Sequence, residues 1–293
     1  GLYMKLTNIF SMLGGLALFL YGMNMMSNGL ELAAGNKMKT ILEKLTSNRI
    51  LGVLVGALVT AIIQSSSATT VMVVGFVNSG LMSLTSAVWV IMGANIGTTI
   101  TGQLIAIDIT AIAPLIAFIG VAMIVFFKSK KLDAFGSVIG GLGILFIGME
   151  TMSNAMVPLR TMPEFVGLIS KFQNPFIGIL VGALFTALIQ SSSASVGILQ
   201  ALAKSGVMTL SSSIYVLFGQ NIGTCITSVL ASIGTSKNAK RTTIIHLTFN
   251  IIGTVIFVSI SMLFPFAHLV ESITPNNVAA QIANVHTIFN VAT

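Results

Sequence analysis

The sequence predicts an all-α polytopic membrane protein made of two inverted repeats, each with a re-entrant helical hairpin and a broken transmembrane helix. Three observations carry that prediction: an apolar composition, a 126-residue internal repeat, and the clustering of Lys and Arg. Of 293 residues, 55% are hydrophobic and 7% charged, and the mean hydropathy is +0.98. A soluble domain carries about 25% charged residues. Apolar runs at 11–30, 85–107, 109–127, 134–149, 211–233 and 243–264 approach or exceed the ~20 residues of a spanning helix. An outer-membrane barrel would instead show alternating segments of ~10 residues, and none is visible.

The repeat is exposed by one short motif. "QSSSA" occurs at 64–68 and again at 190–194, an offset of 126. The same offset relates "GGL" at 14–16 to 140–142, "MSN" at 26–28 to 152–154, "LVGAL" at 54–58 to 180–184, and "NIGT" at 95–98 to 221–224. No gap is needed between 13–106 and 139–232, and about two positions in five are identical. Repeat one is therefore placed at 13–106, repeat two at 139–232, and further spanning helices at 234–293.

In chain order, "GLYMK" resembles a processing or cloning scar ahead of Met4, and no cleavable signal peptide follows. Run 11–30 is the first span, and the loop 31–49 after it carries Lys37, Lys39, Lys44 and Arg49. Lys128, Lys130 and Lys131 follow run 109–127, and Lys237, Lys240 and Arg241 precede run 243–264. These clusters hold ten of the 14 Lys and Arg, and the positive-inside rule puts all three on the cytoplasmic side. Runs 85–107 and 109–127, joined by a short outer turn at Asp108, supply two crossings. Segment 50–80 must then enter and leave on one side, as a re-entrant hairpin. In the second copy, run 134–149 goes out, segment 176–206 dips in from outside, and run 211–233 returns to Lys237. The hairpins open to opposite faces, so the repeats are inverted, as in many secondary transporters. Arg160, Lys171 and Lys204 are left outside, a minority the rule tolerates. The chain stops inside "IFNVAT", which reads as an unfinished helix and predicts a truncated protein.

Residues 50–63 make about 21 Å of helix, too short for a ~30 Å hydrocarbon core. The Gln-Ser-Ser-Ser motif thus falls near mid-membrane at the hairpin tip. A helix broken there exposes backbone groups that lipid leaves unsatisfied, which is tolerable only inside protein or beside water. Serine hydroxyls donate and accept, and the N-terminus of the returning helix adds N–H groups and a positive dipole end. Freed carbonyls and the Gln64 amide oxygen suit a small hard cation. "GANIGTT" at 93–99 and "GQNIGTC" at 219–225 are poor helix formers and are predicted to be unwound where they face the tips. The anion candidates are Ser65, Ser66, Ser67, Ser191, Ser192 and Ser193, with Asn95 and Asn221. The cation candidates are Gln64, Gln190, Ser65, Ser191, Thr98, Thr224, Asn95 and Asn221. Close helix packing is the competing reading of an isolated triple serine; its recurrence beside a second "NIGT" favours a site.

Other signals are weaker. His246 in "HLTFN" and His286 in "HTIFN" share a His-x-x-Phe-Asn pattern, which suits helix packing better than a proton relay or metal pair. Glu150 ends an apolar run and is expected to be solvated, with ion coupling as the alternative. "GGLGILFIG" at 140–148 lacks a nucleotide-binding fingerprint. Cys225 is the only cysteine, so no internal disulfide forms. The net charge of +7 reflects membrane orientation; no aromatic–basic surface for nucleic acid is present. An intramembrane serine hydrolase would need an activated nucleophile; there is no G-x-S-x-G elbow, and neither histidine has a carboxylate nearby in sequence.

The paired "QSSSA" and "NIGT" elements and the terminal "HTIFN" resemble the sodium-dependent phosphate cotransporter type II family, over nearly the whole chain. The resemblance implies a sodium-coupled symporter of inorganic phosphate working by alternating access in the plasma or inner membrane. Gln64–Ser67 and Gln190–Ser193 would form its core site, with Na+ as the coupling ion and the lipid bilayer as solvent. A homodimer is left open. Bacterial members often continue into a PhoU-like cytosolic domain, which the expected truncation would have removed. The motifs continue differently, Ala68-Thr69-Thr70 against Ala194-Ser195, so the halves are not equivalent. The same architecture would also suit a sodium-coupled carrier of a dicarboxylate, sulfate or similar anion.

Overall fold

The computed structural model describes residues 6–44, 48–107, 109–158, 162–189 and 191–293. Asp108 and Arg160 lie outside them. Among the described residues the chain is helical throughout: α1 (Leu6–Lys44), α2 (Arg49–Ile63), α3 (Ser66–Asn78), α4 (Leu84–Ala106), α5 (Ala113–Phe126), α6 (Lys130–Met156), α7 (Pro163–Ser170), α8 (Pro175–Ile189), α9 (Ser192–Lys204), α10 (Leu210–Ala231), α11 (Lys237–Leu263), α12 (Phe266–Ile273) and α13 (Val278–Ala292). Four are long and apolar enough to cross a membrane, namely α1, α4, α6 and α11. The segment from Pro163 to Ile189, bent by 101°, is a fifth if counted as one span.

Glycine lets these helices touch backbone to backbone, which is how helices associate when lipid is as apolar as their side chains. A β-carbon at Gly56 would overlap the Val90 carbonyl oxygen, and one at Gly93 the Val53 carbonyl oxygen. Gly182 against Val216 and Gly219 against Ile179 repeat both contacts 126 residues on. These contacts also fix direction. Gly52 lies beside Trp89, Gly56 beside Val90, and Gly97 beside Ala57 and Thr60. Numbers rise together, so α2 and α4 are parallel, and the start of α4 is level with the start of α2. Helix α3 therefore carries the chain back over the distance α2 travelled. The chain turns likewise between α8 and α9, because Gly178 lies beside Tyr215 and Gly223 beside Ala183 and Thr186.

Helices α1 and α6 run the other way. Gly15 meets Gly148 and Met152, Gly22 meets Gly141 and Leu145, and Gly29 meets Ala134. Rising numbers meet falling ones, so this pair is antiparallel. The contact is also reciprocal: adding 126 to Gly15 and subtracting it from Gly148 yields Gly141 and Gly22, which again touch.

Three expectations need correction. The loop expected at 31–49 is mostly helix, since α1 continues to Lys44. Residues 31–44 contain no proline, and Met38 and Leu42 are buried with Val55, Val59 and Val73, which anchors the extra turns. Helix α5 is only 14 residues long, shorter than the span expected at 109–127. Pro114, in its first turn, sets where it begins. The breaks expected at 93–99 and 219–225 are absent: α4 and α10 are continuous there. Glycines 93, 97, 219 and 223 are spent on close approach to α2 and α8, and that packing outweighs their low helix propensity.

Gly56→Val and Gly182→Val should each lower thermal stability in detergent by about 1–3 kcal/mol, as overpacking does. Gly75→Ala, where a β-carbon meets nothing within 4 Å, should be neutral or slightly stabilising.

Candidate functional site

The site is built from two interrupted helices. Helix α2 ends at Gln64, whose φ of 61° is left-handed. A side chain enters that region at a cost of about 1–3 kcal/mol, and such residues cluster at functional sites. Ser65 is extended (φ −147°), and its Oγ accepts from the Ala68 N–H at 3.1 Å, capping α3. Ser191 repeats this, with φ −142° and its Oγ accepting from the Ala194 N–H at 3.2 Å. Each turn is pinned across its own hairpin. Thr60 Oγ1 donates to Thr69 Oγ1 at 2.9 Å, and Thr186 Oγ1 donates to Ser195 Oγ at 2.8 Å. Residues nine apart in a continuous helix are separated by about 13.5 Å along the axis, so both chains bend sharply at the serines.

The two tips meet. Thr101 Oγ1 donates to Gln64 Oε1 at 2.7 Å and lies 3.3 Å from Ser193 Oγ, one residue touching both motifs. Between the tips lies a cavity of about 440 Å³, lined by Gln64, Ser65 and Ser66 from one and by Ser191, Ser192 and Ser193 from the other. Helix α1 closes a third side with Asn24, Ser27, Asn28 and Glu31. Ser27 Oγ donates to the Gln64 carbonyl oxygen at 3.3 Å. Two helix N-termini border the cavity, each equivalent to roughly half a positive charge, and among the described residues no Lys or Arg lines it. The oxygens and N–H groups suit a small anion and a hard cation together.

The other candidates stand elsewhere. Asn95 Nδ2 donates to Asn250 Oδ1 at 2.8 Å, and Asn221 Nδ2 donates to Asn290 Oδ1 at 2.6 Å. Thr98 and Thr224 donate to the carbonyls of Ala94 and Gln220, both at 2.9 Å, within their own helices. None of the four lines the cavity. With their helices intact, they present no freed backbone to the tips, and their side chains bond within and between helices. Gln190 and the Ser67 side chain lie outside the described residues. Glu150 is exposed and away from the cavity.

Sequence reasoning missed Thr101 and the α1 wall, though both left signals. Thr101 is identical to its repeat counterpart, Thr227. Asn24, Ser27, Asn28 and Glu31 fall at i, i+3, i+4 and i+7, a polar stripe within the otherwise apolar stretch 12–35.

The His-x-x-Phe-Asn pattern is a packing device. Asn250 of α11 bridges α4 and α10, accepting from Asn95 and donating to the Asn221 carbonyl at 3.2 Å. Asn290 of α13 holds Asn221. His246 Nδ1 lies 2.9 Å from Ser228 Oγ, whereas His286 Nδ1 is buried without a partner among the described residues. The repeat explains the difference, because the residue 126 before Ser228 is Gly102. A β-carbon there meets nothing closer than 3.5 Å.

The fold and this cavity define a multi-pass helical membrane protein with a polar chamber between two helix tips. The family described as "Na+/Pi-cotransporter" matches residues 18–154 and 161–274, and the chain belongs to it. It is 33% identical to the uncharacterized protein YqeW of Bacillus subtilis over 94% of this chain and 89% of that protein. It is 28% identical to the "Putative inorganic phosphate export protein YjbB" of Salmonella typhimurium over 90% of this chain, and spans 48% of that relative. A stretch of 105 residues, 35% of this chain and 16% of the relative, is 40% identical to "Sodium-dependent phosphate transport protein 2A" of Rattus norvegicus. No solved structure matches the chain.

Gly102→Ser should be more stable than Gly102→Ala by about 1 kcal/mol, the worth of one hydrogen bond, through a new bond to His286. Helix propensity favours alanine, so equal or greater stability of the alanine variant in thermal unfolding would contradict the assignment.

Proposed function

We propose that this chain forms the transport pathway of a sodium-coupled symporter of inorganic phosphate, binding phosphate and Na+ between its two Gln-Ser-Ser-Ser tips. One observation carries the reading: a chamber bordered by two helix N-termini, rich in hydroxyls, with no basic side chain among the described residues that line it. Phosphate at neutral pH carries one to two negative charges, and two helix ends offset only part of that. Cations held beside it by Gln64 and the serine oxygens supply the rest. Membership of a family described as Na+/Pi-cotransporter supports the identity of both ions.

The alternating-access frame is part of the same proposal. Helices α1 and α6 are repeat counterparts, antiparallel, and in reciprocal contact. A two-fold axis perpendicular to both produces that arrangement, and for membrane-crossing helices such an axis lies in the membrane plane. This geometry supports reading the chain as inverted repeats at about 13–106 and 139–232, with re-entrant α2–α3 and α8–α9 hairpins. Rocking one half against the other would open the chamber to each side in turn.

The YjbB relatives carry export in their printed name, so transport is best measured in both directions. In proteoliposomes, an inward sodium gradient should drive phosphate uptake, and reversing the gradient should drive release. Ser66→Ala and Ser192→Ala should each weaken phosphate binding about tenfold or more, the loss of a hydrogen bond to a charged group, and should reduce its sodium dependence. A phosphate affinity constant from zero to saturating sodium would contradict the coupling.

A further inference from the structure

We propose that Glu31 is the cation-loading residue of the chamber. Its carboxylate takes up sodium at the mouth and makes phosphate entry conditional on it. The inference rests on the transport reading above and extends it to a residue outside both Gln-Ser-Ser-Ser motifs.

Among the described residues, Glu31 is the only charged one lining the 440 Å³ cavity. It also lines an adjoining cavity of about 540 Å³, together with Asn28, which is common to both, and Lys39. The two chambers therefore meet at Asn28 and Glu31. On α1 the polar stripe runs Asn24, Ser27, Asn28, Glu31, and Ser27 donates to the Gln64 carbonyl at the tip. Glu31 is four residues further on, about 6 Å along the axis. Lys39 is eight residues beyond it, about 12 Å. Anything passing from Lys39 towards the tips moves beside the carboxylate. Among the described residues no Lys or Arg pairs with Glu31; the contact of this kind found among them is between His268 and Glu271, at 3.7 Å. The counterpart of Glu31 in the second half is Val157, so the charge belongs to one half only.

A lone carboxylate beside an anion chamber is unfavourable for the anion and favourable for a cation. Divalent phosphate approaching an empty chamber meets repulsion. Once sodium is held near Glu31, the repulsion is cancelled and the two ligands favour one another. The residue thus contributes to the coupling factor between sodium and phosphate, and does so asymmetrically, through one face of the chamber. Glu31 is exposed, so salt screens it, and ionic strength must be held constant in any test.

The test uses the full chain in detergent, with choline chloride replacing sodium chloride at fixed ionic strength. Two quantities are read: the sodium midpoint for thermal stabilisation without phosphate, and the affinity for radiolabelled phosphate at zero and saturating sodium. Glu31→Gln should raise the sodium midpoint several-fold and shrink the sodium-induced gain in phosphate affinity on the order of tenfold, the usual scale of such couplings. Part of that change should come from tighter sodium-free binding. Glu31→Asp should behave like the parent. A Glu31→Gln variant with an unchanged sodium midpoint, or with phosphate binding weakened equally at both sodium levels, would overturn the proposal. If the parent binds no phosphate at any sodium concentration while Glu31→Gln still displaces the sodium midpoint, the phosphate reading fails and cation loading stands.

Discussion

A helix that stops where neither water nor a neighbouring turn can complete its hydrogen bonds leaves unpaired N–H and carbonyl groups, and in lipid each costs several kcal/mol. This chain ends two helices inside the bundle, α2 at Ile63 and α8 at Ile189, and each is followed by a helix that restarts within a few residues. The rest of the architecture answers the resulting demand. Ser65 and Ser191 cap the helices that restart. Thr60 and Thr186 tie each restarted helix to the one that ended. Thr101 and Ser27 reach Gln64 from α4 and α1. What remains open is a pocket lined by the hydroxyls and amides of the two tips and of α1, the groups to which the proposed anion and cation would bind.

Bringing two such tips together requires the flanking helices to be nearly in contact. That is the work of the glycine spacing shared by α2 with α4 and by α8 with α10. It also requires the two halves to hold one another. Asn250 and Asn290 do so from α11 and α13, each bonded to an asparagine of the "NIGT" motif. The residues 234–293 thus clamp both repeats rather than forming a separate unit. The Ser228–His246 pair sits within this clamp, away from the chamber, with both residues buried; it is a packing bond, in keeping with a family of transporters rather than hydrolases.

Much of this was legible in the sequence, and what was not has definite causes. The 126-residue offset located both tips because the same backbone break needs the same capping serines. The "NIGT" segments misled because low helix propensity was read without its partner surface. Gly93 and Gly97 look like helix breakers until the carbonyls of Val53 and Ala57 are placed against them. Asn95 was placed facing the tips because Asn250, to which it bonds, lies 155 residues away in sequence. Helix α1 was cut short at residue 30 because charge was taken as the end of helix, although Met38 and Leu42 keep an apolar face going. The α1 wall of the chamber went unseen for the same reason: its polar stripe lies inside and just beyond a run that composition alone marks as a span.

The proposed alternating access requires the two hairpins to enter from opposite faces. Lys44 and Ser170 are exposed repeat counterparts just before α2 and α8. Cys225 is buried and is the only native cysteine, so Cys225→Ser gives a clean background. In that background, Lys44→Cys and Ser170→Cys should be labelled by a membrane-impermeant maleimide from opposite sides of oriented vesicles, Lys44→Cys from the cytoplasmic side. Labelling of both from the same side would contradict the inverted arrangement and the alternating access built on it.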